Sequence, residues 1–123
     1  MTIYALSSGS GISGIAVIRI SGPETREIIT KMMSGSFPKA KQATLKKINK
    51  IDTKEVIDQG IVIWFPGPQS YTGEDMVEFH VHGSRAVVEA IHTSVSKISN
   101  CRLAEPGEFT KLAFQNGKIN LLK

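Results

Sequence analysis

One segment constrains this chain more than any other: Tyr71-Thr72-Gly73-Glu74-Asp75-Met76-Val77-Glu78-Phe79-His80-Val81-His82-Gly83. A polar turn runs straight into strict alternation. Side chains on a strand point to opposite faces with period two. Val77, Phe79 and Val81 therefore share one face, and Glu78, His80 and His82 share the other. The apolar row needs a core on its side. The polar row sets a carboxylate and two imidazoles in line on an accessible surface, and that arrangement points to a ligand.

The rest of the chain reads as strands and helices around that one. Ile3 to Ser8 is a short strand, and Ile15 to Ile20 is a β-branched central strand. Ser21-Gly22-Pro23-Glu24 reads as a helix start, with Ser21 and Glu24 as a capping box. Thr25, Ile28, Ile29, Met32 and Met33 give its apolar stripe, and Ser34-Gly35-Ser36 ends it. Strands follow over Gln42 to Asn49 and Val56 to Phe65, then Pro66-Gly67-Pro68 breaks the chain. After the Met76 to His82 strand, Ser84 caps a second helix carrying Val87, Val88, Ile91, Val95 and Ile98. Leu103 and Ala104 form a last short strand. Pro106 opens a third helix with Phe109, Leu112, Ala113 and Phe114, which Gly117 closes. The order is β-β-α-β-β-β-α-(β)-α. It predicts an α+β fold with a mainly antiparallel or mixed sheet and three helices, not a doubly wound parallel sheet.

The 123 residues suit one domain, 1–123. The end at Leu121-Leu122-Lys123 is still helix-compatible, so the expectation is the first part of something longer. No apolar run approaches the roughly 20 residues of a membrane span, and Met1-Thr2-Ile3-Tyr4 does not read as a signal peptide. Cys101 is the single cysteine, which excludes an internal disulfide and points to a reducing, cytoplasmic setting. The net charge of +4 is mild, but seven lysines and one acid, Asp52, lie between Lys31 and Lys54. That strip reads either as a phosphate-contacting surface, which would make the chain a tRNA-contacting module using Lys31 to Lys54, or as a solvated hairpin with lysines guarding an edge strand. The absence of stacking aromatics in it favours the hairpin.

Several motifs need weighing. Gly9-Ser10-Gly11-Ile12-Ser13-Gly14 matches a dinucleotide fingerprint, but strand sequence follows where a helix should open. No GxxxxGK[ST] phosphate loop occurs, so GTP binding by this chain is not expected. Glu78, His80 and His82 could ligate a metal, with His92 or Cys101 added, as in a small metal-dependent hydrolase. Two hydrogen-bonded histidines on a partly buried strand face are the preferred reading, and no metal is expected. Arg19, inside Val17-Ile18-Arg19-Ile20-Ser21, needs an anion or acceptor: a ligand, solvent or a glutamate. Glu105 and Glu108 sit at a helix start, where the dipole favours acids.

Taken together, the segments Gly14 to Pro23, Trp64 to Pro68, Tyr71 to Asp75, Glu78 to Gly83, Leu103 to Thr110 and Phe114 to Leu121 resemble the N-terminal domain of the tRNA-modification GTPases MnmE/TrmE. The resemblance runs in order from residue 3 to the end. It implies half of a folate-binding, aminomethyltransferase-like fold, completed by homodimerisation. It also implies a bound tetrahydrofolate derivative of the 5-formyl or 5,10-methylene type, used as one-carbon source for C5 of a tRNA wobble uridine, with a flavin-dependent partner protein. It carries over Arg19, Glu78 and Lys118 as folate-binding positions and no catalytic residue. A pterin edge presents two parallel donors, and a carboxylate such as Glu78 presents two parallel acceptors. Arg19 and Lys118 are cations suited to ring carbonyls or folate carboxylates. GTP hydrolysis, with its potassium and magnesium, belongs to a domain this chain lacks. Ser8 to Ser13, Ser84 and Leu122-Lys123 depart from the family pattern.

Overall fold

Alternation and register build one six-stranded sheet in the order β3-β4-β5-β2-β1-β6. In the computed structural model, residues 1–7 and 14–119 are described. The strands are β1 (Thr2–Leu6), β2 (Ile15–Ser21), β3 (Thr44–Asn49), β4 (Val56–Phe65), β5 (Met76–His82) and β6 (Cys101–Leu103). The helices are α1 (Thr25–Met32), α2 (Arg85–Ser96) and α3 (Glu108–Gln115). The class is α+β with a mixed sheet, as the element order implies. Every pairing is antiparallel except β1 with β6. The fingerprint residues before Gly14 and the chain end from residue 120 lie outside the described residues. Gly14 leads into a strand, as the sequence context requires.

The two faces of the sheet differ. Ala16, Ile18 and Ile20 of β2, Val77, Phe79 and Val81 of β5, and Val62 and Trp64 of β4 face the core. Ile28, Ile29 and Met32 of α1 and Ile91 and Val95 of α2 pack onto them. Burying a large side chain of this kind contributes about 1.5–3 kcal/mol, so this face carries the stability of the domain. The opposite face follows from cross-strand partners. One row runs Ile63, Glu78, Arg19, Ala5, and the next runs Leu45, Ile61, His80, Val17. Ile15 and Leu45 on this face are more than half exposed.

One helix start differs from expectation. Ser21 and Glu24 do not form a capping box. Ser21 is the buried last residue of β2, and its hydroxyl meets Thr72 at 2.8 Å and Glu74 at 3.0 Å. Glu24 stands at the N-cap without a side-chain cap bond. Its carboxylate accepts from Thr2 Oγ1 at 2.6 Å, and Thr2 Oγ1 accepts in turn from the Glu24 amide at 2.8 Å. A partner brought in by β1 took the role that a local residue could have filled. Ser84 caps α2 as expected, accepting from the Val87 amide at 3.1 Å. No described helix is long and apolar enough to cross a membrane.

Candidate functional site

Register alone brings two of the three expected site residues together. Arg19 in β2 is the cross-strand partner of Glu78 in β5. Arg19 Nε and Nη2 both donate to Glu78 Oε2, at 3.3 and 3.1 Å. His80 lies two residues on, hence on the same face, and its Nε2 meets the other oxygen, Oε1, at 3.0 Å. A carboxylate can only accept, so His80 carries its proton on Nε2. Of the readings open for Arg19, the ion pair to a glutamate is the one found. The pair is half-buried, with side chains 28% and 17% exposed, so water screens it in part.

Two aromatic rings flank the guanidinium. Arg19 Cζ lies 5.3 Å from the centre of the Tyr71 ring and 5.8 Å from that of Phe109. Tyr71 comes from the loop before β5, and Phe109 from the first turn of α3. The Tyr71 hydroxyl meets Thr110 Oγ1 at 3.1 Å, which ties loop and helix together. Asn116 Nδ2, just past α3, donates to the Thr72 carbonyl at 2.7 Å. Gly73 between them has φ +86, and a Cβ there would come within 3.2 Å of Lys118 Cε. Lys118, the third expected residue, thus borders the loop that carries Tyr71. Its amide donates to the Ala113 carbonyl at 2.8 Å, so the turn after α3 holds it there.

His82 belongs to a separate pair. Its Nδ1 meets both oxygens of Asp58 at 2.9 Å, and its amide donates to Asp58 Oδ2 at 2.8 Å. Burial pushes the Asp58 carboxyl up, but the bonds from His82 outweigh it and hold the acid below its usual range. The His80 and His82 rings edge a concavity of about 310 Å³, with Ile15, Leu45 and Ile61. The residues considered for a metal are not gathered. Glu78 serves Arg19 and His80, His82 serves Asp58, Cys101 lies at the far edge in β6, and His92 packs on Tyr4, ring centres 5.2 Å apart. No group of three or more His, Cys, Asp or Glu able to hold a metal occurs among the described residues.

Glu108 does more than complement a helix dipole. It grips both terminal nitrogens of Arg102 and accepts from the Glu105 amide at 2.9 Å. The Arg102 guanidinium first, and that amide after it, hold the Glu108 carboxyl at about 2. This clamp joins α3 to β6 and so fixes where Phe109 stands. Tyr71, Phe109 and Asp58 are site residues that the sequence reading missed. Tyr71 heads the motif and gave a signal, Phe109 read as helix core, and Asp58 gave none because its partner is 24 residues away.

A match to known proteins now decides the family. Residues 2–118 match the family described as "GTP-binding protein TrmE N-terminus". The chain belongs to that family. It is 68% identical over its full length to a protein of Pelagibacter ubique named "tRNA modification GTPase MnmE", of which it covers 28%. It is 49% identical over 98% of its length to a human protein named "5-taurinomethyluridine-[tRNA] synthase subunit GTPB3, mitochondrial", covering 25% of it. A Dictyostelium discoideum protein named "tRNA modification GTPase gtpbp3, mitochondrial" is 48% identical over 98% of the chain, again covering 25%. The chain thus corresponds to the N-terminal domain of a tRNA-modification GTPase and spans about a quarter of these relatives.

Proposed function

We propose that the chain is the folate-binding and dimerising module of a tRNA-modifying GTPase, with Glu78 as the pterin anchor. The observation that carries this is the setting of the Arg19 guanidinium. A planar, multi-donor group meets a carboxylate at its edge and lies 5.3 and 5.8 Å from the centres of two aromatic rings. The 2-amino-pyrimidinone edge of a pterin is also planar, and its ring N–H and exocyclic NH₂ form the same kind of donor set. The site therefore fits the group that the family resemblance implies. When bound, the folate supplies a one-carbon unit for uridine C5.

The chain's own residues bind and orient. Glu78 offers two acceptors to the pterin donors. In the free chain both oxygens are already engaged, Oε2 by Arg19 and Oε1 by His80. Binding has to move the guanidinium aside, toward the ring carbonyl or the folate carboxylates. Tyr71 and Phe109 then keep the site apolar on its flanks. Lys118, across Gly73 from Tyr71, adds a second cation for the carboxylates. His80 fixes the plane of the carboxylate. The sheet face with exposed Ile15 and Leu45, and with Ile61 and Ile63 half-buried, supports pairing with a second copy. The tRNA and a flavin-dependent protein are the further partners of this reading.

The test is sedimentation of the chain with and without a reduced folate, with Leu45→Lys beside wild type. The reading expects a dimer that Leu45→Lys breaks up, and one folate per chain. A wild-type monomer at micromolar concentration under both conditions overturns the dimer, and absence of bound folate overturns the anchor.

A further inference from the structure

Helix α3 is held by polar ties more than by packing. Of its eight residues only Ala113 is buried, and Phe114 is 48% exposed. Yet this helix brings Phe109 to the Arg19 guanidinium and leads into Lys118. At its N-terminal end Glu108 grips Arg102, and Thr110 meets the Tyr71 hydroxyl. At its C-terminal end the tie is Asn116, whose Nδ2 donates to the Thr72 carbonyl at 2.7 Å across 44 residues of sequence.

Along the chain, Asn116-Gly117 reads as an ordinary helix stop. The backbone gives the two residues different tasks. Gly117 takes the left-handed conformation, φ +72. The Gly117 and Lys118 amides then close the helix end on the Phe114 and Ala113 carbonyls, at 3.1 and 2.8 Å. Asn116 has φ −92, which does not require an asparagine. The turn therefore leaves the Asn116 side chain unexplained.

Its acceptor supplies the explanation. Thr72 is fully buried, and its hydroxyl meets Ser21 of β2 at 2.8 Å and accepts from the Glu74 amide at 3.2 Å. The Thr72 carbonyl is thus a point fixed to the sheet. Beside it, Gly73 has φ +86, and a Cβ there would come within 3.2 Å of both Asn116 Cβ and Lys118 Cε. The stem of Lys118 lies against the same glycine that the Asn116 bond holds in place.

We infer that Asn116 is a positioning residue of the Glu78 site: by holding Gly73 against the Lys118 stem, it sets the Lys118 ammonium for an anionic group of the ligand. The inference rests on the folate reading, in which Lys118 takes the ligand's carboxylates. Asn116 acts through Lys118 and not on the ligand. Lys118 is exposed, and a lysine side chain carries among the most rotamer freedom of any, which binding has to remove. A stem already laid against Gly73 has less to lose.

The experiment is calorimetry with 5-formyltetrahydrofolate on wild type, Asn116→Leu, Lys118→Ala and the double variant. Leucine matches asparagine in size and cannot donate. Asn116→Leu should weaken binding about tenfold in the wild-type background and less than twofold beside Lys118→Ala. The same loss in both backgrounds overturns the action through Lys118. Unchanged affinity with a lowered urea midpoint means a structural tie only, and overturns the role. In the ligand-free chain, NMR relaxation at Lys118 Cε should show a more mobile side chain in Asn116→Leu, and equal mobility overturns the positioning. Wild type that binds no folate overturns the folate reading and this role with it. Wild type that binds, matched by Asn116→Leu, overturns this role alone.

Discussion

Glu78→Gln is the substitution whose effect the structure lets one work through. Glutamine keeps the shape, removes the charge and turns one acceptor into a donor. A charge-assisted pair of bonds to a pterin, lost with a donor left facing a donor, costs about 2–4 kcal/mol. That gross figure overstates the change. In the wild type the same carboxylate already accepts two bonds from Arg19, which binding must release. A partly exposed ion pair of this sort is worth about 1 kcal/mol. The net loss of folate affinity is then about 1–3 kcal/mol, or roughly 5- to 150-fold. Stability should fall by no more than the same ~1 kcal/mol, because Val77, Phe79 and Val81 carry the core side of β5. Calorimetry with a reduced folate reads the first quantity and urea unfolding the second. A folded Glu78→Gln chain that binds folate as tightly as wild type refutes the reasoning.

Three further outcomes follow from the packing. Gly60→Ala should cost about 2–3 kcal/mol in urea unfolding, because the new Cβ would sit 2.3 Å from the His80 carbonyl in the neighbouring strand; a loss below about 0.5 kcal/mol contradicts this. Burial holds the His92 ring below the ordinary histidine range. Below about pH 6.5 the unfolded chain therefore binds a proton that the folded one refuses, and stability falls as pH drops toward the lowered value. Thermal melts from pH 7 to 5 should show a shallower decline in His92→Leu than in wild type, and parallel declines count against it. Burial first, then Glu24 and Glu27, push the Cys101 thiol up to about 11. Iodoacetamide at pH 8 should thus modify it roughly 100-fold more slowly in the folded chain than in urea, and equal rates would be inconsistent with that thiol.

The sequence announced most of the sheet. Alternation over Met76 to His82 and the β-branched run in β2 gave both strands and their faces. Once the two strands pair, the Arg19–Glu78 contact follows from register. What stayed hidden depends on partners distant in sequence. Thr2 reaches Glu24 because β1 lies beside β2, and this displaced the local capping box. Asp58 meets His82 across β4 and β5, and Phe109 reaches Arg19 only because α3 folds back over the sheet. Three of the seven lysines spaced through 31–54, Lys31, Lys47 and Lys54, meet at one concavity because α1 ends beside β3. A pattern read along the chain carries periodicity; it does not carry which elements become neighbours.

The central claim is that a pterin takes the place at Glu78 that Arg19 holds in the free chain. Nitrogen-detected or proton-detected NMR of the arginine Nε–H groups, with 5-formyltetrahydrofolate added stepwise, tests it most directly. The account predicts a saturable shift of the Arg19 Nε–H signal, alongside amide shifts at Tyr71 to Asp75 and Glu78 to His80. An unmoved Arg19 signal, with folate bound and shifts confined to other parts of the chain, would contradict it.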